Sequence, residues 1–346
     1  MLGGHLPGQR PGCLRVTCGV ADTSVPVESP TAELRIITLG EFAVRSARFA
    51  PRGTPRWGRD ESRKLLKCLL AASSFRRTRE QLMALLWPDY EPVAARAALR
   101  HALSRLRHTL EPDSTERASV HYVGSDREAI WLQCGPSPAS ALTDAQRDSL
   151  ALWIDRQEFE RKAAIALAAC TAVRDDPSWD VAAQHARHAL RLYRGAFLPN
   201  DLYVDWTQPA RDRCRHLWAS LVRRFSVLMA VREGDYEQAG LLLERMAEAM
   251  PDDENTAVLL MLVQAVGGHR REALRTYEAL RQRLKQHFDI EPSGELEAVA
   301  ASIRAGGARS ELMAFLAVGT WERRFDLGDE HPPLDLRELA YLASAT

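Results

Sequence analysis

Apolar and polar residues alternate with a period of two from Leu34 through Ile36 to Thr38, and again at Phe42 and Val44, with Leu39-Gly40-Glu41 between them. That pattern predicts two short strands joined by a turn. The period then changes. Leu65, Leu66, Leu69 and Leu70 fall on one face of a helix expected from about Asp60 to Ala72. Thr78 and Gln81 have capping-box spacing ahead of Leu82, Leu85, Leu86 and Trp87, so a second helix opens there and stops at Pro88. Pro92 suits the first turn of a third helix running to Leu110, before Pro112. Two β-rich runs, Val120–Val123 and Ala129–Leu132, flank Gly124-Ser-Asp-Arg-Glu128 and form a hairpin by pattern. Strands, three helices and a terminal hairpin describe a winged helix-turn-helix, whose third helix is the one expected in a major groove.

From Thr143 to Ile303 the apolar spacing is helical, and no strand is predicted. Gly234 and Gly268, Ala239 and Ala273, and Leu243 and Tyr277 each recur at the 34-residue period of a tetratricopeptide helix pair. In such a pair the small residue lets two helices approach, the bulky residue four positions on fills the gap, and a proline such as Pro251 ends the second helix. The fold class is therefore mainly α: an N-terminal α+β winged helix-turn-helix at 33–136, followed by an all-α, TPR-like helical repeat domain at 143–306. Residues 1–32 are rich in glycine and proline, lack a period, and are expected to be a disordered tail. Cys134-Gly-Pro-Ser-Pro-Ala-Ser-Ala141 reads as the linker, with a helix start capped by Thr143 and Gln146 behind it. Residues 307–346 form a C-terminal extension in which Leu312, Phe315, Leu316 and Trp321 resume a weak apolar pattern.

Composition changes this picture in one respect. Of 346 residues, 46 are Lys or Arg and 46 Asp or Glu, so the chain as a whole has no net charge, yet residues 59–110 carry eleven basic side chains against five acidic ones. A basic module sits inside a neutral protein. The third helix holds Arg96, Arg100, Arg105 and Arg107 and no carboxylate between Pro92 and Leu110. At 100° per residue, Leu99, Leu103, Leu106 and Leu110 form its core stripe and leave Arg100, His101, Ser104, Arg105 and His108 on the other side. The planar fork of arginine can take guanine O6 and N7 together, or a phosphate, while Ser and His add shorter hydrogen bonds. The candidate DNA-binding residues are Arg96, Arg100, His101, Ser104, Arg105 and Arg107, with Arg127 in the hairpin turn.

Three segments carry a family resemblance in the first half: Leu34-Arg-Ile-Ile-Thr-Leu-Gly40, Arg79-Glu-Gln-Leu-Met-Ala-Leu-Leu-Trp-Pro-Asp89, and Ala94 to Arg107. They resemble the OmpR-type winged helix of the bacterial SARP/AfsR-type regulators. Tyr193-Arg-Gly-Ala-Phe-Leu-Pro199, Glu233-Gly-Asp-Tyr236, Arg271 to Tyr277 and Asp289-Ile-Glu-Pro-Ser293 resemble the bacterial transcriptional activation domain of the same proteins. The resemblance spans about 33–306. It implies a cytoplasmic transcription activator whose winged helix reads repeated sequences in double-stranded promoter DNA. The helical repeats would then assist homodimer formation on DNA and contact RNA polymerase or its sigma subunit. Matched to the OmpR-type helix, His101 and Arg105 take base-facing positions, Ser104 and Arg107 take backbone-facing ones, and Ala98 occupies a further base-facing position.

Other chemistry is weakly represented. The four lysines (64, 67, 162, 285) never follow glycine, so there is no GxxxxGK[ST] phosphate loop, and HExxH and GxSxG are absent too. Neither an enzyme nor a bound cofactor is expected. His185 and His188 are three residues apart on a helix without a Cys or carboxylate partner at ligand spacing, and they read as helix surface, not as a metal site. Six cysteines without a CxxC pair fit reduced thiols. No run reaches the roughly 18 apolar residues of a membrane span. The competing reading is a TPR-type interaction scaffold whose winged half binds protein instead of DNA.

Overall fold

The computed structural model describes residues 34–46, 49, 54–57, 60–111, 122–133, 152–169 and 178–317. Strands β1 (Leu34–Ile37) and β2 (Ala43–Arg45) pair antiparallel, with Ile36 opposite Val44. They precede α1 (Asp60–Ala71), β3 (Arg76–Thr78), α2 (Arg79–Leu86) and α3 (Pro92–Leu110). The capping box at Thr78 forms as its spacing requires: the Thr78 hydroxyl accepts from Gln81 N at 3.1 Å, and the Gln81 side chain accepts from Thr78 N at 3.1 Å. Pro92 occupies the first turn of α3. Strands β4 (Val123–Ser125) and β5 (Ala129–Leu132) make the hairpin, and β3 adds to it in the order β3-β5-β4. Strand β3 was not predicted, because three residues are too few to show a period.

The larger departure from the sequence reading lies in the second half, where a strand was not expected. Strand β6 (Leu152–Ile154) pairs parallel with β1, setting Leu34 against Leu152 and Ile36 against Ile154. The first sheet thus has the order β2-β1-β6, and its third strand comes from beyond the expected linker. The expected tail at 1–32, the linker 134–141, the Thr143 cap and Trp321 lie outside the described residues.

Immediately after β6, α4 (Asp155–Ala169) opens with a buried carboxylate. Asp155 accepts from Thr38 N at 2.8 Å, Thr38 Oγ1 at 2.7 Å, Leu39 N at 2.8 Å and Arg156 N at 2.7 Å. These bonds satisfy the backbone at the end of β1 and the first turn of α4 with one side chain. Complete burial raises the Asp155 carboxyl above the usual carboxylate range, against the pull of its four donors. Arg156, fully buried, donates to Ala72 O at 2.8 Å and stacks on Phe75. Lys67 of α1 pairs with Asp201 at 2.6 Å. At Gly40, with φ +88°, the chain approaches Arg194 and Gly195 so closely that an added Cβ would lie 2.9 Å from Arg194 Cβ. Gly40 N donates to Ala196 O and Leu198 N to Thr38 O, so the segments 34–40 and 193–199, distant in sequence, meet backbone to backbone.

The remaining helices are α5 (Ser178–Leu192), α6 (Gln208–Leu228, extended by a π-helical turn at Met229–Glu233), α7 (Tyr236–Ala249), α8 (Glu254–Val266), α9 (Arg270–Phe288), α10 (Gly294–Arg304) and α11 (Arg309–Ala317). Successive helices pack in pairs around α8, whose apolar residues bury on every side from Ala257 to Val266. The 34-residue repeat has a structural basis. Gly234 and Gly268 both have positive φ, at +69° and +94°, and Ala239, Ala273, Leu243 and Tyr277 are all buried. The packed array runs past residue 306, because Leu312 and Leu316 of α11 bury against it, whereas Phe315 stays exposed. Ala273→Leu should overpack the α8/α9 contact and cost about 1–3 kcal/mol, lowering the urea midpoint of the full chain. A variant as stable as the parent would show that the two helices do not meet at this residue.

Candidate nucleic-acid interface

The third helix presents the face its periodicity predicts. Leu99, Leu103, Leu106 and Leu110 are buried, and Arg96, Arg100, His101, Ser104, Arg105 and His108 are exposed. Arg107 is placed differently from the expectation of a backbone-facing side chain. It is half-buried and donates to Val123 O through Nε (3.2 Å) and Nη2 (3.1 Å), and to Ser125 Oγ at 2.8 Å. The reason is the path of β4: Arg107 lies on the edge of the core stripe, about 40° of helix rotation from Leu103, and β4 passes there to take up its guanidinium. Its guanidinium joins the helix to the hairpin.

Arg127, at the hairpin turn, is exposed. Together with Arg79, Arg96 and Arg100 it lines an open groove of about 670 Å³ between the start of α2, the first half of α3 and the hairpin. Glu80 and Glu128 are the carboxylates on its rim. Four arginines converge here from three elements. Arg79 went unnoticed as a site residue in the sequence, since its only local signal was a place in the first turn of α2. It holds the hairpin twice, its backbone N donating to Glu128 O at 2.8 Å and its Nε to Asp126 O at 3.0 Å. Arg76 stacks on Trp131, 4.8 Å from the ring centroid, and pairs with Asp126 at 3.3 Å. Glycine is required at 124 because a Cβ there would fall 2.3 Å from the Trp131 ring.

Asp126 closes the turn. Its Oδ1 accepts from Glu128 N at 2.8 Å and from Ala129 N at 2.6 Å. The Ala129 and Glu128 N–H groups, and the Arg76 guanidinium, hold its carboxyl below the usual range.

Burial pushes the Cys68 thiol up to about 11 and that of Cys214 well above its ordinary value, so both stay protonated and unreactive at neutral pH. The other four cysteines lie outside the described residues. Burial lowers His188, which keeps it neutral. Among the described residues no group of three or more His, Cys, Asp or Glu side chains comes together to hold a metal ion, and no helix is long and apolar enough to cross a membrane.

Comparison with known proteins adds to this geometry. Residues 154–304 match the bacterial transcriptional activator domain family. No curated protein matches the chain in sequence. Among solved structures, Mycobacterium tuberculosis EmbR, determined in complex with a low-affinity phosphopeptide, is similar with a TM-score of 0.60 and 18% identity, over 84% of this chain and 72% of that one. At that identity the likeness speaks for the fold. The family match begins at the last residue of β6, so it includes Asp155 and α4, the helix that packs against β1. In this chain a winged helix-turn-helix is therefore followed by a segment that matches the bacterial transcriptional activator domain family, in a fold similar to that of EmbR.

Proposed function

We propose that the protein binds double-stranded DNA through α3 and the hairpin and activates transcription from the promoter it occupies. The observation that carries this reading is the groove lined by Arg79, Arg96, Arg100 and Arg127 beside a helix whose exposed face has no carboxylate. Phosphate oxygens suit the groove, and the more exposed flank of α3, with His101, Ser104 and Arg105, suits base edges. Arg107 then acts from inside, by fixing the hairpin against the helix. The helical repeats supply the surface for pairing two copies on repeated half-sites and for contact with RNA polymerase or its sigma subunit. Such a protein works in the cytoplasm without a cofactor.

Binding of the full chain to a random-sequence duplex should weaken steeply with salt. The log-log slope is about 0.9 for each phosphate neutralised, so four groove arginines correspond to a slope of roughly 3.6 in magnitude. A flat salt dependence would reject DNA as the ligand and favour an interaction scaffold that binds protein. Selection of bound sequences from a random duplex pool would then identify the operator.

A further inference from the structure

A carboxylate stands in the middle of the basic surface. Asp126 is exposed at the hairpin turn, one residue before Arg127 and between Arg76 and Arg79. Surface electrostatics alone predicts that such a group repels DNA and that its removal strengthens binding. The hydrogen bonds predict the reverse. Oδ1 is occupied by the Glu128 and Ala129 N–H groups, which closes the turn around Arg127, and Oδ2 faces Arg76. The Asp126 carbonyl accepts from Arg79 Nε, and Glu128 O accepts from Arg79 N, so the residues before and after Arg127 are both tied to the start of α2. With its two neighbours fastened in this way, the Arg127 side chain is directed at the groove it shares with Arg96 and Arg100. Trp131, covered on one side by Arg76 and fitted against Gly124 on the other, braces the strands behind the turn.

Resting on the DNA-binding reading, we propose that Asp126 is a positioning residue: it sets the hairpin turn so that the Arg127 guanidinium meets a phosphate across the groove. A fixed guanidinium forfeits less side-chain freedom on contact than one carried on an open turn, so the gain from ordering the turn outweighs the repulsion of one exposed and paired carboxylate. The two oxygens divide the work. Oδ1 serves the turn and Oδ2 serves Arg76, which separates Asp126→Asn from Asp126→Ala: the amide keeps an acceptor for the two N–H groups and loses only the charge.

The test uses the full chain and a random-sequence duplex, with affinity measured over a series of salt concentrations. Arg127→Ala should lower the magnitude of the slope by about 0.9, the value for one phosphate contact. Asp126→Ala should bind more weakly with a similar loss of slope, Asp126→Asn should retain most of it, and Asp126→Ala should add nothing in an Arg127→Ala background. Tighter binding by Asp126→Ala, or an equal further loss when Arg127 is already absent, would overturn the proposal. Hydrogen exchange of the free protein supplies a readout that does not involve DNA. Amides 128 and 129 should exchange faster in Asp126→Ala while those of α3 keep their protection, and unchanged exchange at both would overturn the proposal even if the wild type binds DNA as expected. A wild type whose binding is independent of salt would instead overturn the DNA-binding reading itself, and the positioning of Arg127 with it.

Discussion

Asp155→Ala is expected to destabilise the whole chain by about 3–5 kcal/mol, a large part of the roughly 5–15 kcal/mol typical of a folded protein. The side chain serves one hydroxyl and three backbone N–H groups at the meeting of β1 and α4, all buried. Each buried donor left unmet costs about 1–3 kcal/mol, and a water entering the space would recover part of the total. Asp155→Asn has the same shape and one acceptor fewer. Its amide would point N–H at N–H, so a smaller but clear loss is expected. Urea unfolding should be followed by far-ultraviolet circular dichroism and by tryptophan fluorescence, to which Trp131 in the hairpin and Trp218 in α6 both contribute. The two signals should move together, because β6, Asp155, the Lys67–Asp201 pair and the Gly40–Gly195 contact fasten the winged half to the repeats. A fragment of residues 33–136 lacks β6 and Asp155 and is expected not to fold stably. Independent unfolding of the winged half at a parental midpoint would contradict this account.

Arg105→Ala and Arg107→Ala should separate into two phenotypes. Arg105 is exposed on the flank of α3 away from the core, so its loss should remove about 1–3 kcal/mol of discrimination between a selected duplex and a random one, roughly five- to 150-fold. Its folding should be unaffected. Arg107 donates into the hairpin at Val123 O and Ser125 Oγ, so its loss should raise hydrogen exchange in β4 and weaken all duplexes together through a misplaced hairpin. Competition between selected and random duplexes distinguishes the two. An equal, sequence-independent loss for both variants, with β4 equally protected, would reject the assignment of separate roles.

Much of the chain's local structure was legible from residue pattern alone. The Thr78 and Gln81 capping box, Pro92 in the first turn of α3, the leucine stripe of that helix and the 34-residue recurrence of Gly, Ala and a bulky residue all depend on neighbours within a few positions. Helix periodicity and capping are local physics, so the sequence by itself determined the helices of the winged half and the exposed basic face of α3; it also placed the hairpin, but with Gly124 and Ser125 in the turn, where the structure pairs them with β5 as part of β4. Asp155 was not legible, because a carboxylate before a helical run has the same local signature whether it caps its own helix or also closes a strand more than a hundred residues away.

The tertiary structure decided the rest. Three-residue strands such as β3 and β6 carry no measurable period and exist because a partner strand completes their hydrogen bonds. Whether Arg107 faces outward or into the hairpin depends on the path of β4 across the edge of the leucine stripe, a placement that no helical wheel contains. The meeting of Gly40 with Gly195, and of Lys67 with Asp201, joins segments far apart in the chain and brings the winged half against the helical half. Period and capping act over single turns of backbone, whereas burial and long-range pairing are settled only when the whole chain closes on itself.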